Sequence, residues 1–303
     1  MIGLELVIAA MLTSLLAAAW SAVLVVRERR GGRERSQRER RLAQASFGVV
    51  GVGLLCFLYA EFLEADWLEV THVTVRSKKL APGTHLTIAH LSDLHVDRQS
   101  RALIQLEREL REANVDLVVF TGDAINTRPG TELFRRTLAV LPTRLGRVAV
   151  RGNHDVYRWG DVDLFGQGVA TELLGDAPLL LEHGTVALCG APFGATEAVE
   201  TCLAHAPKEA LTIFAYHTPD LVEALHTRPD LYLAGHTHGG QVRLPFYGAV
   251  ITFSRFGKKY EMGRYEVNGT TLYVNRGIGF EPVMPRVRFL ARPELTLLHV
   301  LPE

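Results

Sequence analysis

The sequence predicts an α/β protein, a β-sandwich flanked by helices and preceded by a two-helix transmembrane hairpin. Three observations carry this reading. Two long apolar segments occupy the first sixty residues, and short apolar runs alternate with amphipathic stretches over residues 68–303. Four or five of those runs finish in a cluster of Asp, Asn or His.

The first apolar segment runs from Ile2 to Val26 with Glu5 as its one charge. At 1.5 Å per residue it spans about 37 Å as a helix, enough to cross a hydrocarbon core of roughly 30 Å. A cleaved signal peptide would carry its basic residues before the apolar run, whereas here they follow it. The second segment, Leu42 to Ala60, has Gln44 and Ser46 as its clearly polar residues, and Gly48, Gly51 and Gly53 allow close helix approach in lipid. The expected division is transmembrane helix 1 over residues 1–26, an Arg-rich loop over 27–41, transmembrane helix 2 over 42–63, and a catalytic domain over 68–303. The loop holds eight Arg and three Glu. Under the positive-inside rule it faces the cytoplasm, which puts a multi-pass protein in the plasma (inner) membrane with its large domain extracytoplasmic. No aromatic residues interleave the Arg to stack on bases, and the 33 basic and 33 acidic side chains cancel, so a nucleic-acid partner is not expected.

The charge balance and a mean hydropathy slightly above zero are averages over two unlike parts. Residues 1–70 contain no His, and all 12 His follow them. Cys56, Cys189 and Cys202 lack metal-ligand spacing and demand no disulfide framework.

Within the large domain, Leu68–Arg76, Leu86–Leu91, Leu117–Phe120, Val148–Val150, Leu211–Tyr216, Leu231–Ala234 and Leu295–Val300 read as strands. Arg101–Ala113 and Glu132–Leu141 read as helices, the first with Leu103, Leu106 and Leu110 at helical spacing. Lys259–Val267 and Thr271–Val274 flank Asn268-Gly269, a strong hairpin signal. The finish of the sandwich is therefore partly antiparallel.

The polar clusters are Asp93-Leu94-His95, Gly122-Asp123, Gly152-Asn153-His154-Asp155, His217 and Gly235-His236-Thr237-His238. Carboxylates, an amide and imidazoles without thiolates suit Mn²⁺, with Fe or Zn as alternatives, in a two-metal site. On extended backbone, residues two apart point to one side, so each of the pairs Asp93/His95 and His236/His238 is expected to face one cluster. A glycine before Asp123, Asn153 and His236 lets the chain turn where ligands are presented.

These five motifs together resemble the calcineurin-like metallophosphoesterase superfamily, with its pattern DxH, GD, GNH[DE], H and GHxH. His217-Thr218-Pro219-Asp220, Val274-Asn275-Arg276-Gly277-Ile278-Gly279 and Arg292-Pro293-Glu294-Leu295 are similar to its membrane-associated or exported bacterial branch. The resemblance implies that Asp93, His95 and His238 hold one metal and Asn153, His217 and His236 the other, with Asp123 bridging. It implies that His154 stands beside the leaving-group oxygen and that Asp155 orients it. Asn126 departs from the family's frequent acidic residue, and its amide can still hydrogen-bond a ligand. Arg276 reads either as a clamp on a phosphate oxygen or as an ordinary surface Arg. Two cations about 3.5–4 Å apart neutralise phosphoryl oxygens and lower the pKa of a bridging water, which attacks phosphorus in line.

The expected activity is hydrolysis of phosphate mono- or diesters, with lipid-linked or envelope substrates in view and the lipid bilayer as partner. No protein partner is inferable. A UDP-2,3-diacylglucosamine pyrophosphatase of lipid A synthesis is the runner-up, and it requires a cytoplasmic site, opposite to the Arg-rich loop's orientation. A catalytically inactive membrane scaffold is the competing class, disfavoured by the completeness of the motifs.

Overall fold

In a computed structural model, residues 2–31, 34–282 and 285–303 are described; Met1 of the first apolar segment and Gly32 and Arg33 of the Arg-rich loop lie outside the described residues. The chain divides into two compact units, Met1–Leu63 and Glu64–Glu303.

The first unit is two helices, α1 (Ile2–Arg29) and α2 (Gln37–Phe62). Ser36 and Glu39 start α2 with a capping box: Ser36 Oγ accepts from Glu39 N at 3.3 Å, and the Glu39 carboxylate accepts from Ser36 N at 2.7 Å. Glu28 accepts from Arg35 at 2.5 Å and Arg40 at 2.9 Å, so part of the loop's positive charge is neutralised locally. Among the described residues, one helix is long and apolar enough to cross a membrane, and it is the one that begins at Gln37.

The second unit contains, in chain order, β1 (Glu69–Ser77), β2 (Leu86–Leu91), α3 (Arg101–Glu112), β3 (Leu117–Phe120), α4 (Gly130–Ala139), β4 (Gly146–Ala149), α5 (Asn153–Tyr157), β5 (Thr171–Glu172), β6 (Leu179–Leu181), β7 (Val186–Gly190), α6 (Thr196–His205), β8 (Leu211–Ala215) and β9 (Leu231–Ala234). They are followed by β10 (Arg243–Leu244), β11 (Gly248–Ala249), β12 (Gly263–Val267), β13 (Thr270–Val274) and β14 (Glu294–Pro302). Two six-stranded sheets result, with orders β1-β14-β2-β3-β4-β5 and β12-β13-β9-β8-β7-β6. Most neighbours are parallel; β14 runs antiparallel to β2, as do β13 to β12 and β7 to β6. The turn Asn268-Gly269 has φ of 50° and 84°, the left-handed pair that a two-residue hairpin requires.

The central strands β2, β3, β7, β8, β9 and β13 bury both faces, which is why their runs are continuously apolar, whereas β1 and β12 alternate with exposed positions. Between the sheets lie Ile88, Val119, Val148, Leu188, Ile213 and Leu233. On the outer face of the first sheet, α3 and α4 cover a second core. Ser100 Oγ caps α3 by accepting from Leu103 N at 3.2 Å, and Leu103, Leu106 and Leu110 are buried as the spacing predicts. Phe120, Phe134 and Phe165 meet there with ring centroids 5.2 to 6.2 Å apart. On the second sheet, Cys189 at the end of β7 and Cys202 in α6 are joined in a disulfide. The two cysteines that look isolated in the sequence are thus paired across a strand–helix contact.

The parallel strands β2, β3, β4, β8, β9 and β13 bring the loops at their carboxyl ends to one rim, the place where open α/β sheets present their chemistry. Phe134→Ala is expected to lower unfolding stability by about 3–5 kcal/mol, because a fully buried ring leaves a cavity in the α3–α4 core. Chemical denaturation followed by circular dichroism checks this; a midpoint unchanged from wild type would remove the aromatic trio from the core.

Candidate metal centre

All nine residues singled out by the motifs reach this rim. Asp93 and His95 follow β2, Asp123 follows β3, Asn153, His154 and Asp155 open α5, His217 follows β8, and His236 and His238 follow β9. The strand-alternation argument for the two pairs does not hold. Asp93, His95, His236 and His238 have φ of 50°, 42°, 70° and 51°, and Asp123 has 59°, so left-handed turns and not a pleat aim these side chains. The preceding glycines also differ in role. Gly122, at φ +98°, turns the chain as expected, while Gly152 and Gly235 serve close approach: a Cβ on either would lie 2.2 Å from Asp123 Oδ1 and 1.8 Å from Ser92 Oγ, respectively.

The two acids are buried and central. Asp123 Oδ1 accepts from His154 N at 2.9 Å, and Oδ2 lies 3.4 Å from His217 Nε2 and 3.6 Å from His95 Nε2. Asp93 Oδ2 accepts from His236 N at 2.9 Å, and Oδ1 lies 3.5 Å from His238 Nε2. The imidazoles are oriented from behind. His95 Nδ1 lies 2.8 Å from Asn126 Oδ1, whose amide nitrogen donates to Phe280 O at 3.2 Å. That second bond fixes the Asn126 oxygen toward His95, so Nδ1 carries the proton and Nε2 offers a lone pair. His217 Nδ1 donates to Thr121 O at 2.8 Å, and its Nε2 lies 2.8 Å from Asn153 Oδ1. His236 Nδ1 lies 3.1 Å from His217 Nε2, and its Nε2 is 3.4 Å from Phe253 O.

The donor set fits divalent metals on a direct observation. Asp93 Oδ1, His95 Nε2, His154 Nδ1 and His238 Nε2 are buried with no hydrogen-bond partner. Such orphaned polar atoms are rare in folded proteins unless they serve an ion or water. The separations of 3.4–3.6 Å are too long for hydrogen bonds, and donors about 2.1 Å from one ion sit roughly 3.0–3.4 Å apart by geometry. Asp93, His95 and His238 form one group able to hold an ion, and Asp93, Asp123 and His217 another. Charge agrees. Burial pushes the Asp123 carboxyl up, but the neighbouring His217, His95 and His154 override it and hold it well below the ordinary range. Burial in turn opposes charge on His217, yet the neighbouring Asp123 carboxylate outweighs it and pushes the imidazole up to about 10. Burial holds His95 and His238 below their usual range and brings His236 down to about 4.

Asp155 does not orient His154. Its carboxylate accepts from three backbone amides, Asp123 N at 2.7 Å, Ala124 N at 2.9 Å and Gly152 N at 3.0 Å, and so ties the loop after β3 to the start of α5. His154 instead faces Glu281, with Nε2 3.3 Å from Oε1. Arg276 is neither a phosphate clamp nor a surface residue: it pairs with buried Glu294 at 3.1 Å and with Glu69 at 2.9 Å. Sequence reasoning also misses Arg288, fully buried, which donates to the carbonyls of Arg276, Gly277, Gly279 and Ala291 and lies 3.4 Å from His238 Nδ1. No local signal marks Glu281 or Arg288, since each reaches its site histidine, His154 or His238, across fifty or more residues.

A profile of calcineurin-like phosphoesterases matches residues 86–240. The uncharacterised metallophosphoesterase YkuE of Bacillus subtilis is 31% identical over 284 residues, covering 85% of this chain and 96% of that protein. The UDP-2,3-diacylglucosamine pyrophosphatase LpxG of Chlamydia trachomatis is 26% identical, with 84% and 96% covered. The phosphodiesterase YaeI of Escherichia coli is 27% identical, with 86% and 98% covered.

Asp155→Ala leaves three buried amides without an acceptor and is expected to cost at least about 3 kcal/mol of stability. Denaturant titration measures it. A variant of wild-type stability with reduced turnover alone would return Asp155 to the role of orienting His154.

Proposed function

The chain belongs to the calcineurin-like phosphoesterase family of metal-dependent hydrolases, and on that footing we propose a membrane-anchored phosphoesterase that hydrolyses phosphate mono- or diesters with two divalent metals. The observation that carries this reading is the convergence of orphaned, buried ligand atoms from loops of both sheets. Asp93, His95 and His238 would hold one ion and Asn153, His217 and His236 the other, with Asp123 between them, and Mn²⁺ suits these donors, Fe and Zn being alternatives. A metal pair supplies Lewis-acid stabilisation of the phosphoryl oxygens and lowers the pKa of a water.

The chain's own residues do the rest. Hydrolysis adds water at phosphorus and breaks the bond to the leaving oxygen, which then needs a proton. His154 stands at the rim beside Asp123 with a ring nitrogen to spare. Burial alone would lower its pKa; Glu281 and Asp123 outweigh that and raise it, which favours the protonated imidazole a general acid needs. Glu281 holds the ring through Nε2 and leaves Nδ1 facing the site.

The anchor is α2, with α1 as the second helix of a membrane hairpin. The Arg-rich segment between them would remain in the cytoplasm, leaving the catalytic domain outside in the plasma membrane. The Cys189–Cys202 disulfide supports this side, because such bonds persist in oxidising compartments. It also weighs against a lipid A pyrophosphatase, despite the similarity to LpxG, since that substrate is handled in the cytoplasm.

Asp123→Ala is expected to abolish metal uptake and hydrolysis of bis(p-nitrophenyl) phosphate together, read by elemental analysis and turnover with added Mn²⁺. His154→Ala should retain metal and lose on the order of 10²–10⁴ in rate; full activity in either variant would overturn that residue's role. Topology has its own check. In intact cells, Cys189 and Cys202 should resist a thiol reagent until reductant is added, and a C-terminal alkaline-phosphatase fusion should be active. Cytoplasmic fluorescence from a C-terminal fluorescent protein, without phosphatase signal, would reverse the orientation.

A further inference from the structure

We propose that the second unit carries its own membrane-contact surface, a strip of exposed apolar and cationic side chains that runs beside the metal centre and rests on an anionic lipid interface. The proposal rests on the reading of α2 as a membrane anchor. Three segments lie side by side to make the strip. Arg243 N donates to Phe289 O at 2.9 Å and Phe289 N to Gln241 O at 3.0 Å, which joins the β10–β11 hairpin to residues 289–292. Ala291 N donates to Glu64 Oε1 at 2.6 Å and Arg292 Nε to Trp67 O at 3.1 Å, which joins those residues to the start of the unit.

Along these segments Trp67, Leu290, Leu244, Phe246 and Tyr247 are exposed, Phe246 entirely so at the tip of the hairpin. Water-exposed rings in this number, grouped rather than scattered, mark a surface meant for a partner. Two cations accompany the rings. Lys258 Nζ lies 3.4 Å from the centroid of Tyr247, and the Arg292 guanidinium lies 4.1 Å from that of Trp67. Their hydrogen bonds go to backbone carbonyls, and neither has an acidic partner among the described residues. Aromatic rings with unneutralised Lys and Arg beside them are the composition of a membrane interface, where rings lie at headgroup level and cations meet lipid phosphate.

Chain length argues for the same occupant. Helix α2 ends at Phe62 and Trp67 follows five residues later, so the covalent reach between them is at most about 18 Å. Trp67 is therefore tethered close to the end of an apolar helix. A second copy of this chain is a poorer partner, since a two-fold contact would oppose Lys258 and Arg292 with their own like charges. The hairpin adjoins the loop that carries two site residues: Arg243 Nη1 donates to Gly239 O at 3.1 Å, next to His238. A phosphate ester embedded in the bilayer would meet the site at the height where its headgroup already lies.

The test uses the full chain in nanodiscs of phosphatidylcholine with phosphatidylglycerol, carrying the photo-crosslinker benzoylphenylalanine in place of Phe246, Leu290, Leu55 or Lys208. Leu55 lies in α2 and reports the anchor; Lys208 is an exposed control outside the strip. Lipid adducts found by mass spectrometry at 246, 290 and 55, with none at 208, are expected. Adduct yield at 246 should fall in pure phosphatidylcholine and in the K258E/R292E double variant, with yield at 55 unchanged. Adducts at 55 without adducts at 246 overturn the surface and leave the anchor standing. Crosslinked dimers at 246 in place of lipid overturn it in favour of a second copy. Absence of adducts at 55 removes the anchor, and the proposal with it.

Discussion

Asp93 and Asp123 are two carboxylates buried at one rim, and among the described residues no Lys or Arg pairs with either. Removing an ion from water costs several kcal/mol unless countercharge and hydrogen bonds replace the lost hydration. The loops around the rim are arranged to meet that demand. Backbone N–H groups of His154 and His236 donate to the acids. Asp155 locks the loop that carries Asp123, while burial and the Asp123 charge push its own carboxyl up to about 7. Even so, one oxygen and three imidazole nitrogens remain without partners. The protein by itself leaves the charge balance incomplete in the way a cation would complete it.

Holding five such loops at fixed distances needs a rigid joint between the sheets, and the C-terminal segment provides it. Glu294 at the head of β14 accepts from Tyr273 at 2.6 Å and pairs with Arg276, while Asn275 donates to Thr296 Oγ1 at 2.8 Å and to His90 O at 3.3 Å. These contacts tie the end of β13 in one sheet to β14 and β2 in the other. Gly277 belongs to the same joint: a Cβ there would lie 2.5 Å from that of Asp93. The segments Asn275–Gly279 and Arg292–Leu295 thus act on the site by positioning.

The sequence made the strands and the ligands legible for a common reason. Leu86–Leu91, Leu117–Phe120 and Leu231–Ala234 are continuous apolar runs with polar ends, and a parallel strand and its functional loop need that pattern. The hairpin at Asn268-Gly269 was legible because its turn dictates its residues. Where contacts depend on register between distant segments, the signal fails. Glu281 finds His154 across 127 residues, Arg288 finds His238 across 50, and Cys189 meets Cys202 only because α6 folds back on β7. The strand pleat invoked for Asp93 and His95 was the wrong geometry for the right outcome, since left-handed φ angles cannot be read from residue types that merely tolerate them.

Those left-handed residues have an evolutionary consequence. Each non-glycine side chain held there costs about 1 kcal/mol or more, and Asp93, His95, Asp123, His236 and His238 all sit there. Glycine at any of the five would relieve that backbone strain. A lineage that kept the fold for scaffolding alone would feel a steady pull toward glycine, with nothing to oppose it. Asp or His at all five positions is what selection for the ligands themselves leaves behind.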